Sequence, residues 1–186
     1  MLNPAPINFR RDGTRRPRRV RRFRAFTLVE ILIVVVIIGI LATVVIPQFS
    51  NASHQDRQNT LKDDLQYLRT QIMVFKAQHQ DVPPGYPRGN FQSAPTTDTF
   101  VGQMTEHTGV NCSLSRPYLP SFPYGPYLGQ VPANPINNSS SIKMVANNQP
   151  MPSPDGSTGW IYKPQTQEII ANVPGSDDSG TPYSSY

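Results

Sequence analysis

Hydrophobic and polar positions divide the chain into three textures. The first is residues 26–46, "FTLVEILIVVVIIGILATVVI". Apart from Thr27 and Glu30, every residue there is apolar, Gly39 or Thr43. A helix rises about 1.5 Å per residue, so about 20 residues cross the hydrocarbon core of a bilayer. Thr43 is tolerable in such a helix because its hydroxyl can bond back to the preceding turn. A carboxylate near the start is costly, so Glu30 demands an explanation.

The second texture is periodic. Leu61, Leu65, Leu68, Ile72 and Phe75 recur at alternating steps of four and three, with His79 next in the series. This spacing predicts one apolar stripe on a helix. Lys62, Asp63, Gln66, Arg69 and Gln80 fall on the other side. One long helix is therefore expected from residue 26 to about His79, kinked at Pro47, which removes a backbone bond. It should stop at "QDVPPGYP", where Pro83, Pro84 and Pro87 forbid continuation. His54 and His79 read as surface or stripe-edge residues, not as ligands.

The third texture is short β-prone runs: "SIKMVAN" (141–147), "GWIYKP" (159–164) and "EIIANV" (168–173). The last two are separated by "QTQ" and predict a hairpin. Trp160 and Tyr162 alternate onto one strand face, where they are expected to cover the helix stripe. Between helix and strands, residues 83–135 read as a long irregular connection, densest in proline at "RPYLPSFPYGPYLGQVPANP". Of the chain's 20 prolines, 16 lie at or beyond Pro83. Polyproline stretches are expected, laid as rigid loops on a small sheet. Connections this long are unusual unless functional, so subunit-specific contacts are expected here. The fold class is α+β: one long N-terminal helix, its first half transmembrane, packed on a small C-terminal antiparallel sheet.

Charge sharpens this picture. The 186-residue chain has a formal net charge of +5, but residues 1–25, with nine Arg and one Asp, carry +8 and the remainder −3. A basic arm can bind nucleic acid. Here it abuts an apolar segment with no linker, which is the pattern of a flank that stays cytoplasmic while the segment enters a membrane; no nucleic-acid partner is expected. A cleaved secretory signal has a shorter apolar core and a small-x-small site, and "TVVIPQFS" offers none. A twin-arginine signal fits poorly with so hydrophobic a segment. Cys112 is the only cysteine, so no internal disulfide can form. In "TGVNCSLSRP" it reads as an ordinary loop or partly buried residue, not a catalytic thiol. His54, His79 and His107 are scattered. No nucleophile elbow, zinc-protease or phosphate-loop motif appears, so no enzyme is expected.

"RAFTLVEILIVVVIIGILATVVIP" resembles the class III signal and N-terminal helix of type IV pilins and type II secretion pseudopilins. In that family a basic leader is followed by a small residue, then Phe-Thr-Leu-Ile/Val-Glu, then an apolar run ending near a proline. Here Ala25 stands where the family usually has glycine, and the 25-residue leader is long for a pseudopilin. The resemblance implies cleavage between Ala25 and Phe26 by a prepilin peptidase, and methylation of the new Phe26 amine. It also gives Glu30 a role. The freed amine is largely protonated at neutral pH, and in a low-dielectric setting it needs a partner. The carboxylate of Glu30 on an adjacent subunit would supply one. The alternative is that Glu30 merely sits at the helix start, favoured by the dipole.

The segment "YL…VPANP…GWIYKPQTQEIIANV" also resembles, more loosely, the C-terminal sheet of major, G-type pseudopilins. Those often bind calcium in an acidic loop near the C-terminus. In "VPGSDDSGTPYSSY" the implied ligands are Asp177 and Asp178, with Ser176 and Ser179; a solvated acidic tail is the competing reading. The expected organisation is a leader (1–25), a transmembrane and filament-core helix (26–46), its amphipathic continuation (47–80) and a periplasmic loop-rich domain (81–186). The implied partners are the prepilin peptidase, further copies, minor pseudopilins and an inner-membrane assembly platform. The implied location is the inner membrane, single-pass, and then a pseudopilus. Two alternatives stand beside this: a type IV pilin or minor pilin, and an uncleaved signal-anchored binding module.

Overall fold

A computed structural model describes residues 26–186, with the side chains of residues 44–52 outside the description. The basic leader and Ala25 also lie outside the described residues. The chain divides into two units, residues 1–46 and 47–186. Helix α1 (Leu28–Gln78) contributes its first part to one unit and the remainder to the other. The helical assignment runs through Pro47, where the kink was expected. The arrangement is α+β and pilin-like.

In the second unit the stripe on α1 is the spine of the core. Leu61, Leu65, Leu68, Ile72 and Phe75 are all at most 1 % exposed. Their cover comes from strand β4 (Trp160–Lys163), which follows the short strands β1 (His107–Thr108), β2 (Leu114–Ser115) and β3 (Ile142–Met144), and from β5 (Glu168–Ala171). As expected from the alternation, Trp160 and Tyr162 join the cluster formed by the stripe. Ile161 points the other way, against Val145 and Ile170. The indole Nε1 donates to the Pro132 carbonyl at 2.9 Å, so the largest buried side chain has its polar handle satisfied.

The predicted hairpin is present: β4 and β5 pair antiparallel, Trp160 opposite Ala171 and Lys163 opposite Glu168. The third strand adds a refinement. β3 pairs with β4 in parallel, Ile142 opposite Trp160, so the three-stranded sheet β3–β4–β5 is mixed. A parallel neighbour needs a long return crossover, and residues 145–159, rich in proline, supply it. The close packing at this crossover requires glycine at position 159, where a Cβ would come within 1.9 Å of the Ser139 carbonyl oxygen.

Residues 83–135 are more ordered than expected. They contain helix α2 (Thr97–Thr105), which buries Phe100, Gln103 and Met104. Thr96 caps it by accepting the Thr99 N–H at 3.2 Å. They also contain β1 and β2, paired antiparallel. Gln103 explains how the proline-rich turns hold their place. Its Oε1 accepts the Gly85 N–H at 2.7 Å, and its Nε2 donates to the carbonyls of Tyr86 and Cys112.

Without a disulfide, the end of the chain is tied down by side chains from α1. Arg69 Nη2 donates to the Ile169 carbonyl at 3.1 Å and to the Tyr186 carbonyl. Lys62 Nζ lies 4.3 Å from the centre of the Tyr186 ring, a cation–π arrangement. The Tyr186 hydroxyl donates to Asp177 Oδ2 at 2.7 Å.

Candidate processing and assembly site

The site is built on the first turns of α1. Thr27 stands just before the helix: its carbonyl accepts the N–H groups of Glu30 and Ile31 at 3.1 and 3.3 Å. Its hydroxyl also accepts the Glu30 N–H, at 3.2 Å. "TLVE" therefore forms the forward half of a capping box, in which Thr-x-x-Glu satisfies orphan donors at a helix start. The reciprocal bond, from the Thr27 N–H to the Glu30 carboxylate, is not among those of the described residues. Thr27 does the capping, and among the described residues the exposed carboxylate of Glu30 has no partner. Its position in the first turn also places it favourably in the helix dipole. In the sequence Thr27 stands out only as an exception to the apolar run; the Thr-x-x-Glu spacing is the signal that identifies it.

Around and beyond this turn the surface is apolar on every side. Twelve large apolar side chains from Leu28 to Leu41 are between 44 and 82 % exposed, and Phe26 is 71 % exposed. They occupy nearly consecutive positions, and at 3.6 residues per turn that covers the whole circumference. Beyond that turn the Thr43 hydroxyl is satisfied within the helix, donating back to the Ile40 carbonyl at 2.7 Å. Among the described residues no helix is long and apolar enough to cross a membrane; of the apolar run, side chains are described only as far as Thr43. An exposed apolar surface this continuous marks contact with lipid or with other protein.

A family model for the prokaryotic N-terminal methylation motif matches residues 20–46. The chain carries a prepilin-type methylation motif. The match spans Arg21, Arg22 and Arg24, the Ala25–Phe26 junction and Glu30, so the capped turn and most of the apolar surface belong to one recognised segment. The methylation motif supports a type IV pilin-like subunit, which is processed by a prepilin peptidase and assembles into pilus-like filaments. It is a structural signal and not an enzymatic one. No curated protein and no solved structure matches the chain.

The acidic residues expected to bind calcium are arranged differently. Asp177 Oδ1 accepts the N–H groups of Ser179 and Thr181 at 2.9 and 2.8 Å, and Oδ2 accepts the Tyr186 hydroxyl. The Tyr186 bond leads these contacts in holding the Asp177 carboxyl below the usual carboxylate range. Donors converge on this carboxylate, whereas calcium needs six to eight converging oxygens. Among the described residues no group of three or more His, Cys, Asp and Glu gathers. Asp177 and Asp178 therefore do not fit a calcium cage as they stand; Asp177 anchors a turn.

Two other residues depart from the sequence reading. Cys112 is only 2 % exposed, and burial pushes its thiol up to about 11. His79 is fully buried and not a surface or edge residue. The 4-3 spacing already placed it on the stripe, but its polar character concealed how its ring nitrogens are satisfied: one by the Phe75 carbonyl a turn back, the other by Thr108 far along the chain.

Proposed function

We propose that the chain is a structural subunit of a type II secretion pseudopilus, of the major, G-type pseudopilin kind. Its arginine-rich leader stays cytoplasmic, residues 26–46 insert in the inner membrane, and the domain from residue 81 onward is periplasmic. A prepilin peptidase cuts between Ala25 and Phe26 and methylates the Phe26 amine. The processed subunits then leave the bilayer for a helical filament, together with minor pseudopilins, on an inner-membrane assembly platform. The same apolar surface serves lipid first and neighbouring helices afterwards. A contact that joins different patches of identical subunits and does not close generates a filament.

One observation carries this reading: an apolar helix surface exposed on all sides, with one carboxylate in its first turn that has no partner among the described residues, inside a methylation motif. Glu30 pairs with the Phe26 amine of the next subunit and sets its register, since a lone charge among apolar helices is costly and a paired one is tolerable. The single cysteine favours a pseudopilin over the pilins that carry a C-terminal disulfide.

The test is the mass of the N-terminal peptide of protein taken from its native membrane. A peptide beginning at Phe26 and heavier by one methyl group is expected. An intact leader, Ala25 still joined to Phe26, overturns assembly by this route and leaves a signal-anchored module. Deleting the gene then separates the two filament readings. Secretion substrates retained inside the cell support a pseudopilus, and loss of surface filaments with secretion intact supports a type IV pilus.

A further inference from the structure

His79 follows directly on α1 and stands at the neck of a loop. Residues 109–123 leave β1 and return at Tyr124. The neck is closed by two backbone bonds, Thr108 N–H to the Tyr124 carbonyl at 2.9 Å and Tyr124 N–H to the Thr108 carbonyl at 3.2 Å. The far end of the loop is exposed, with Tyr118 at 65 % and Leu119 at 42 %. Both neck residues touch His79. Its Nε2 lies 3.0 Å from the Thr108 hydroxyl, and its ring meets the Tyr124 ring edge-on at 5.3 Å. On the other side, Nδ1 lies 2.7 Å from the Phe75 carbonyl, and the ring stacks on Phe75 at 3.9 Å.

These contacts fix the tautomer. A carbonyl only accepts, so Nδ1 carries the proton toward Phe75. In the neutral ring Nε2 is then an acceptor, and the Thr108 hydroxyl donates to it. A second proton, on Nε2, would turn that acceptor into a donor and place a full charge in a fully buried site. The surroundings offer no anion to receive it. The ring faces Phe75 from α1, Thr108 and the Gly109 backbone from the end of β1, and the phenols of Tyr124 and Tyr127. The Tyr127 hydroxyl is engaged with Gln78 Oε1 at 2.6 Å, and the Cys112 thiol lies near Tyr127. The nearby charges look elsewhere: Lys76 toward Asp81 at 4.0 Å, Glu106 toward Arg116 at 3.3 Å. His107, the other histidine at the neck, packs its ring against Tyr118.

We propose that His79 is an acid-sensitive latch, which holds the neck of the 109–123 loop against the end of α1 while neutral and releases it on protonation. Burial, the largest influence, pushes the imidazole below its ordinary value, against the opposing pull of the Phe75 and Gly109 backbone groups. The sign follows. A lowered folded value means the latch is fully present above the ordinary value of 6.5 and is lost as pH falls through the folded one. The latch does not depend on which filament the chain serves.

Hydrogen exchange of the Thr108 and Tyr124 amides tests this in the full chain in detergent micelles, corrected for intrinsic rates. The range runs from about pH 7.5 to about pH 4.5, on either side of the ordinary imidazole value. Protection should fall with acidification, by about tenfold for each unit by which the His79 value is lowered. His79→Phe, which keeps the stack on Phe75, should show no pH response. Unchanged protection in the wild type, the same loss in His79→Phe, or a response abolished by His107→Gln would each overturn the latch. If His79→Phe does not fold, ring-proton titration of the wild type decides. A His79 midpoint below the ordinary imidazole value of about 6.5, coincident with loss of neck protection, sustains it; a midpoint at or above that value, or one to which the neck amides are indifferent, sinks it.

Discussion

Residues 28–43 and 53–78 are stretches of the same helical element with opposite relations to the rest of the chain. In the first, Ile33, Val36, Ile37 and Ile40 are each more than half exposed. In the second, Leu61, Leu65 and Leu68 are at 0 %. Neither contrast follows from helix propensity. It follows from the width of the apolar surface: a stripe can be covered by one small sheet of the same chain, and a full circumference cannot. The second stretch is completed by intramolecular folding, and the first keeps its apolar surface exposed among the described residues. Stability is thereby separated from the surface proposed for assembly.

That separation can be broken at its strongest point first. Leu65→Ala or Leu68→Ala should cost about 2–5 kcal/mol of stability, seen as a lower melting temperature of the full chain in detergent by the fluorescence of buried Trp160. Ile33→Ala should leave that transition unmoved. A large shift for Ile33→Ala would show that the first stretch is supported by its own chain. Glu30→Gln should likewise leave Trp160 melting unchanged while abolishing filaments in cells; normal filaments would return Glu30 to a helix-start role.

Smaller effects sharpen the picture of how the second unit is held. Gly159→Ala should cost about 1–3 kcal/mol, because the Cβ meets backbone that cannot move aside cheaply. Thr96→Ala removes the cap of α2 and should cost about 1 kcal/mol, read from the same melting curve. The smallest effect concerns acid. Asp177 and Asp155 are both held below the ordinary 3.8, Asp177 first by Tyr186 and Asp155 first by Lys143. Their stabilising contribution is present above 3.8 and is lost as pH falls below it. Tyr186→Phe should flatten this acid limb slightly in a pH series of melting curves.

How legible these features were depends on how local their causes are. The stripe and the β4–β5 hairpin were readable because their periods and their turn lie within a few residues. Helix α2 was not, since nine residues amid prolines carry little periodicity; Thr96 followed by Asp98, with Phe100 and Met104 four apart, was the available signal. The parallel pairing of β3 depends on a crossover whose path no local pattern sets. At the site, Phe26 and Glu30 stood out at once, and the role of Thr27 needed the capping geometry. The burial of His79 was hidden because its partner Thr108 lies 29 residues away.

Cys112 has a practical consequence. The thiolate is the reactive species toward alkylating reagents and oxidants, and a buried thiol at about 11 supplies almost none at neutral pH. The native chain is therefore nearly silent to thiol chemistry. A cysteine introduced at residue 33 or 37 would report alone, and bridging pairs of such positions in living cells would map neighbour distances along the assembled fibre without first removing the natural thiol.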